Sequence, residues 1–390
     1  HGWAAQYLRR KGIRVDPSGG KAAFDKAWGT RPVDAFGSLS KQYVHDEIDH
    51  VIKGRGLTTL EQYLQVERHG RRLALNVEAR KAIWRLVEVY NYVLARSRTM
   101  DFNDLLALAL QTLADDPHPP TYTAVICDEV QDVNLLGVRL LHRLAGGDTP
   151  NGLLLIGDGQ QAIYPGGFTL SEAGVNVVGR STVLRGNYRN TAEIVQYANA
   201  VISGEFTDLD VAVEHHDTAV PSRHGLAPVE RCAPTLEAHD RALLQAVRNV
   251  LSRPDVHGGD VAVVAVNPGH VGPYVELLRR NGIPAVDVAL HNGSATEQVR
   301  VSTVKRVKGM EYKHVFCVRV DAHSLRLAKL AQEDPDAHAE RLELLRRELF
   351  VALTRARDTL WVGSVGESAV PLLSAGASGD LWTGLSAGGA

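Results

Sequence analysis

The sequence predicts an α/β protein built on parallel sheets, and three observations carry that prediction. Short apolar runs of strand length recur at 124–127, 153–156, 261–266, 299–304 and 314–320. Between them lie longer stretches with apolar residues every three or four positions, the period of a helix packed on one side. Strands that alternate with helices in this way form parallel sheets. The third observation concerns polarity. The run at 124–127 ends in Asp128 and Glu129, and the run at 153–156 leads to Asp158, Gln160 and Gln161. Both runs have the length of strands buried on both faces. Ligands of open parallel sheets sit at the carboxyl ends of strands, so these two exits form the expected centre of a site.

The bulk composition narrows the class. At 390 residues the chain can hold two or three ordinary domains, and a hydrophobic content of 44% supports large cores. A net charge of −2 excludes a globally basic nucleic-acid coat and leaves room for a local basic groove. Cys127, Cys232 and Cys317 stand far apart without a Cys-x-x-Cys or His-Cys spacing, so they read as core residues of a reducing compartment. The histidines show no metal-ligand spacing and read as surface residues. No apolar run approaches the roughly 18 residues that span a bilayer. With no legible signal peptide, the expectation is no membrane partner and a cytoplasmic location.

In chain order, residues 1–98 have helical periodicity. Trp3, Tyr7 and Leu8 share a face, and segments at 43–52, 60–66 and 81–94 follow, separated by Pro17-Ser18-Gly19-Gly20 and Gly54-Arg55-Gly56. Basic residues are dense here, among them Arg9, Arg10, Lys11, Arg14, Arg68, Arg71 and Arg72. They read as solvated helix faces, numerous enough to include a phosphate-contacting surface. Asp101 is placed to cap a helix whose Leu105, Leu106 and Leu110 face inward. The first acidic strand, a helix at 133–144, the second acidic strand, a helix near 170–175 and a third apolar run at 181–184 come next. After Asn190 the pattern restarts with a helix at 191–203 and a polar excursion at 205–227. A second series then runs through strand 229–232, helix Leu236–Leu251, strand 261–266, helix 271–281, apolar run 285–290 and strands 299–304 and 314–320. A long charged helix at 325–357, broken by Pro335, and a strand at 359–362 complete it. The tail from Ser364 is rich in Gly, Ser and Ala and is expected to be flexible.

Two carboxylates at a strand exit can divide the work of splitting a phosphoanhydride, one holding Mg²⁺ and the other orienting a water. The same pair could instead cap the next helix, where Asp and Glu are common. No segment fits the phosphate-binding pattern GxxxxGK[ST]. Ser18-Gly19-Gly20-Lys21 lacks the Gly five residues before Gly20, and Ala22 stands where a Ser or Thr would reach Mg²⁺.

Six segments between 100 and 357, taken in order, resemble the motifs of the UvrD/Rep-type superfamily 1 DNA helicases. Asp101-Phe102-Asn103-Asp104-Leu105-Leu106 is similar to a family helix start, and Asp128-Glu129-Val130-Gln131-Asp132 resembles its DExQD motif. Gly157 through Tyr164 resembles GDxxQxIY, and Leu184-Arg185-Gly186-Asn187-Tyr188-Arg189 resembles LxxNYR. Thr303 through Lys308-Gly309-Met310-Glu311 resembles T-x(4)-KGxE, and Phe350-Val351-Ala352-Leu353-Thr354-Arg355-Ala356 resembles (Y/F)VxxTRA. His1-Gly2-Trp3-Ala4 is similar to the family's FHGxA segment, which follows the phosphate-binding loop. The resemblance therefore implies a longer protein, with its first strand, phosphate-binding loop and adenine-reading segment upstream of His1.

The resemblance implies two RecA-like parallel-sheet motor domains, the first incomplete, with an α-helical insertion near the N-terminus. In these terms 1–98 is the helical insertion, 99–190 the remainder of the first motor domain, 191–365 the second and 366–390 the flexible tail. Only a short connection separates 266 from 299, where many members insert a large helical domain. The implied substrate is ATP with Mg²⁺, bound between the motor domains. Asp128 would hold Mg²⁺, Glu129 would orient or deprotonate water and Gln161 would sense the γ-phosphate. Arg189 and Arg355 would clamp phosphates, with Gly309 and Glu311 also against the nucleotide; a structural ion pair is the alternative for either arginine. The implied partner is single-stranded or partly duplex DNA, contacted through Tyr164, Thr303, Lys305 and Arg306. Tyr164 would stack a base, or serve as an ordinary half-buried aromatic. After Tyr164 the sequence Pro165-Gly166-Gly167-Phe168 lacks a family arginine, and Lys305 stands where a His is common. The expected activity is an ATP-dependent translocase or helicase running 3′ to 5′, with the 390 residues alone turning over ATP poorly. The rival expectation is a non-catalytic, DNA-binding relative that has lost its phosphate-binding loop.

Overall fold

The computed structural model describes residues 1–32, 36–147, 151–158, 161, 167–184, 186–202, 221–290, 297–328 and 333–374, with 372–374 as backbone alone. The chain divides into two compact units. Among the described residues the first holds 1–182 and 333–341, and the second holds 183–202, 221–328 and 342–374.

The first unit is mostly helical. Helices Gly2–Arg10, Gly20–Thr30, Lys41–Asp46, Leu60–Gln65, Val77–Ser97 and Phe102–Ala114 follow one another, and Glu47–Lys53 continues the third as a wider turn. Side chains of Ser40, Thr59, Asn76 and Asp101 accept from backbone N–H groups of the first turns they cap, satisfying donors that would otherwise be orphaned. The glycines that superficially suggest a phosphate loop have a packing reason. A Cβ at Gly19 would collide with the Thr99 side chain, so the start of the second helix can approach only without one. The unit's helices build one core around Phe24, Ile52, Tyr63, Ile83 and Leu86 and another around Leu8, Leu105, Leu113, Leu140 and Leu144.

Two basic residues expected on a solvated face lie inside instead. Glu47, with no exposed surface, accepts from Nε and Nη2 of Arg68 at 2.6 and 2.8 Å and from Nε of Arg71 at 3.1 Å. The Tyr63 hydroxyl also donates to Glu47, and Arg71 Nη1 lies 2.6 Å from Glu340 on a distant helix. Burial first, and then the Glu47 charge, drives the Tyr63 hydroxyl's pKa far up, so it stays a neutral donor. A buried carboxylate needs partners of this kind, and removing one would strand an uncompensated charge.

The sheet of the first unit holds two described strands, β1 (Val125–Cys127) and β2 (Leu153–Leu155), parallel and with Ile126 opposite Leu154. Burial on both faces is not observed: Ile126 is 68% exposed and Leu154 52%. One face packs through Cys127 and Leu155 toward Val130, Val138 and Leu170, while the other is bare. The apolar run at 181–184 adds no strand, and Leu184 is 87% exposed.

The second unit is organised by a six-stranded parallel sheet. Its strands are β3 (Val229–Ala233), β4 (Val261–Ala265), β5 (Ala285–Asp287), β6 (Val299–Thr303), β7 (Tyr312–Val318) and β8 (Ala356–Val365), in the spatial order β3-β8-β7-β4-β6-β5. β4 lies inside the sheet and every one of its residues is fully buried. Helices Leu236–Leu251 and Val271–Arg280 cover it through Leu243, Val247, Tyr274 and Leu278, which pack with Val261, Val263, Phe316 and Trp361.

Several sequence readings change here. The long helix runs over Pro335–Leu353, with Pro335 at its first position and not interrupting it, because a missing N–H costs nothing in the first turn. Part of the expected flexible tail is ordered: Ala369–Ser374 is a helix, Ala369 and Val370 are fully buried, and the Ala369 N–H bonds the Val320 carbonyl at 2.9 Å. Cys232 is exposed, whereas Cys317 is buried and its thiol is pushed by burial up to about 12. His239 and His314 are core residues, not surface ones. The second unit begins at Val183, before the boundary after Asn190 that the motif order suggests, because the segment around Asn190 bonds into it.

Candidate functional site

The acid pair is held by the turn that leaves β1. The backbone of Glu129 is left-handed, with φ of +55°, a conformation that costs a non-glycine residue and must be held by its surroundings. Three backbone bonds and one side chain hold it. The Asp128 Oδ1 accepts from the Glu129 N–H at 2.9 Å, the Val130 N–H bonds the Ile156 carbonyl at 2.9 Å, the Asp132 N–H bonds the Glu129 carbonyl at 2.9 Å, and the Ile156 N–H bonds the Cys127 carbonyl at 2.8 Å. The acids do not cap the following helix. Leu135–Leu144 is capped by Asn134, whose Oδ1 accepts from the Gly137 N–H, and Asn134 in turn donates to Asn103 of the preceding helix.

The carboxylates are therefore free for other work. Asp128 is exposed at the strand exit, and its second oxygen takes no hydrogen bond among the described residues. Glu129 accepts from Gln131 Nε2 through Oε2, leaving Oε1 without a protein partner among the described residues. Gln131 Oε1 accepts from the Asp158 N–H at 3.1 Å, and Gln161 Nε2 donates to Asp158 Oδ2 at 3.0 Å. The exits of β1 and β2 are thus joined into one polar cluster of Asp128, Glu129, Gln131, Asp158 and Gln161. Burial, then the Asp128 charge, pushes the Cys127 thiol up, so it stays protonated beside them. Tyr164 lies outside the described residues.

In the second unit three stretches far apart in sequence meet where the chain enters β7 and β8. Asn190 Nδ2 donates to the carbonyls of Thr354 and Ala356, on either side of Arg355, at 2.9 and 2.6 Å. Arg189 Nε donates to Glu311 at 2.8 Å, and the Tyr312 N–H bonds the Arg355 carbonyl. Arg189 and Glu311 are both substantially exposed. Arg355 is buried, its Nε donating to the Val351 carbonyl and its Nη1 to Met310 at 3.3 Å. Gly309 has φ of +74°, so a side chain there would be strained. Thr303, Lys305 and Arg306 lie at the exit of β6. Since the strands are parallel, they stand at the opposite end of the sheet from Glu311 at the entry to β7. Lys305 and Arg306 reach Glu348 and Asp287 at 3.5 and 3.6 Å, distances typical of exposed, solvent-screened pairs.

The residues that sequence reasoning passed over are Gln131, Asn187 and Asn190, which place the others. Asn187 Oδ1 accepts from the N–H groups of Arg189 and Asn190. Their only signal was a place inside a motif. Among the described residues no group of three or more His, Cys, Asp or Glu side chains could enclose a metal ion, and no helix is long and apolar enough to cross a membrane.

Two family models match parts of the chain. The UvrD/REP helicase N-terminal domain matches residues 39–172, and the UvrD-like helicase C-terminal domain matches residues 285–366. The chain belongs to the UvrD/Rep-type superfamily 1 helicases. Among relatives, it is 29% identical over 136 residues to the ATP-dependent DNA helicase Rep of Buchnera aphidicola, covering 31% of this chain and 19% of Rep. It is 26% identical over 155 residues to an ATP-dependent helicase/nuclease component from Lactobacillus helveticus, covering 33% of this chain and 13% of that protein. It is also 26% identical over 141 residues to the putative ATP-dependent DNA helicase YjcD of Bacillus subtilis, covering 34% and 18%. The matched part spans less than a fifth of each of these relatives. A crystal structure of the C-terminal domain of a possible DNA helicase from a Lactobacillus covers 48% of this chain and 92% of its own, at 17% identity and a TM-score of 0.35, a likeness too slight to bear on the site.

Proposed function

We propose that these residues serve an ATP-dependent translocase or helicase that moves 3′ to 5′ along single-stranded DNA, with ATP hydrolysis driving unwinding. The observation that carries this reading is the acid pair. Its carboxylates cap no helix, Glu129 is held in a costly backbone conformation, and each acid keeps one oxygen clear of protein partners among the described residues. Such an arrangement suits phosphoanhydride hydrolysis, where the protein's task is to position a water and neutralise charge. Glu129 orients the attacking water and takes its proton through Oε1. Gln161, tied to Asp158, contacts the γ-phosphate. In the second unit Arg189 brings guanidinium charge to phosphate oxygens, and Gly309 and Glu311 contact the nucleotide, while Arg355, buried and bonded to the Val351 and Met310 carbonyls, supports them from below.

The donor set at β1 fits Mg²⁺. That ion keeps several waters and needs only one or two protein carboxylates beside the substrate phosphates, and Asp128, exposed with an oxygen to spare, would supply one. When bound, the ion supplies charge neutralisation on the phosphates. Thr303, Lys305 and Arg306 at the exit of β6, together with Tyr164, contact single-stranded DNA through phosphates and stacking.

The test is ATP hydrolysis by the natural gene product, with and without single-stranded DNA, followed by unwinding of duplexes carrying a 3′ or a 5′ tail. Hydrolysis should rise with DNA, and unwinding should require the 3′ tail. DNA binding without any turnover would favour the non-catalytic relative, and unwinding from the 5′ tail alone would overturn the direction. The 390 residues by themselves, in which no segment fits GxxxxGK[ST], should hydrolyse ATP at background rates; DNA-stimulated turnover by them would contradict this.

A further inference from the structure

The roles above leave Gln131 without one, although it makes the only side-chain bridge among the described residues from Glu129 to the exit of β2. We propose that Gln131 is a positioning residue for hydrolysis, fixing the Glu129 carboxylate and coupling it to the segment that carries Gln161. The inference rests on the hydrolase reading. An amide is suited to this place because it donates from one atom and accepts at another: Nε2 donates to Glu129 Oε2 at 2.5 Å, and Oε1 accepts from the Asp158 N–H at 3.1 Å. A carboxylate there would repel Glu129, and an ammonium could not accept from Asp158. By occupying Oε2, the amide leaves Oε1 as the oxygen that faces water. Asp158 then accepts from Gln161, so one line of hydrogen bonds runs from Glu129 through Gln131 and Asp158 to Gln161.

The neighbouring strand is built to admit this amide. A Cβ at Gly157 would lie 2.6 Å from Gln131 Oε1 and 2.8 Å from Val130 Cγ1, so glycine is the residue that leaves room for the bridge. Gly157 has no left-handed backbone to explain it, which makes the close approach the reason for it.

The test uses the natural gene product and reads steady-state ATP hydrolysis in saturating single-stranded DNA. Gln131→Ala should lower kcat by about tenfold to a hundredfold, the range for residues that orient a catalytic ligand, with the KM for ATP and the thermal midpoint unchanged. Gln131→Glu keeps an acceptor for the Asp158 N–H and loses the donor to Glu129, so it should be at least as slow. Gly157→Ala should lower kcat as well, and its further effect in the Gln131→Ala background should be smaller than in the wild type, because only the clash with Val130 then remains. Full activity of Gln131→Glu would overturn the positioning role and leave a structural tie. Unchanged kcat in Gln131→Ala, with a turning-over wild type, would overturn this inference alone. A wild type without turnover overturns the hydrolase reading and this inference with it. If Gly157→Ala does not fold, the comparison of the two Gln131 variants decides.

Discussion

The two sheets of this protein start from similar letters and end differently. β4 reads Val-Ala-Val-Val-Ala and β2 reads Leu-Leu-Leu, each an apolar run flanked by turn residues. β4 has β7 on one edge, β6 on the other and helices across it, and none of its residues is exposed. β2 has β1 as its one neighbour among the described residues, and Leu154 opposite Ile126 is half exposed. An apolar run therefore states what a strand can bury, and only its neighbours decide what it does bury. In the second unit the sheet is the core. In the first unit the helices carry it, through Leu8, Leu105, Leu113 and the buried Glu47 network, while the sheet serves to present the acid pair.

That contrast can be broken by substitution. The largest effect should come from Phe316→Ala on β7, which is buried with its ring 6.0 Å from Trp361. Emptying such a site costs about 3–5 kcal/mol, and chemical denaturation would show a lowered midpoint for the transition of the second unit. An intermediate effect is expected from acid. Burial pushes the Asp321 carboxyl up, but the Ser324 N–H and the Arg319 guanidinium outweigh it and hold it below the ordinary carboxylate range. A depressed folded value means that Asp321 adds stability above its unfolded value of about 3.9. This stability is lost as pH falls through the folded value. Asp321→Asn should therefore flatten the acid side of a stability-versus-pH curve below about pH 4 and leave the shape of the neutral side unchanged. The smallest effect belongs to the bare strand pair. Ile126→Ser or Leu154→Ser should change the stability of the 390-residue chain by no more than about 0.5 kcal/mol, as thermal melting would show; a loss like that of Phe316→Ala would mean the face is covered.

Much of this was legible in the sequence, for physical reasons. The strand–helix alternation of the second unit, the cap at Asp101 and the acidic strand exits all follow from local pattern, and the structure has each of them. Long-range pairing was not legible. Nothing in the spacing of Arg68 and Arg71 distinguishes a solvated basic face from two guanidiniums closed on Glu47, because the partner lies more than twenty residues away. Residues 181–184 are apolar enough for a strand and form none among the described residues. Pro335 was legible as a helix punctuator but not as a first residue, a distinction that depends on where the helix begins. At the site, Asp128 and Glu129 stood out as charges at a strand end. The amide of Gln131 and the room left by Gly157 are visible only once β1 and β2 lie side by side.

The central claim is that Glu129, held left-handed at the exit of β1, activates the water that attacks ATP. Its most direct test is Glu129→Gln in the natural gene product, measured for DNA-stimulated hydrolysis and for nucleotide binding. The change keeps size and hydrogen bonding while removing the base, so turnover should fall by at least about a hundredfold with nucleotide binding retained. Unchanged turnover would contradict the assignment of Glu129 as the base.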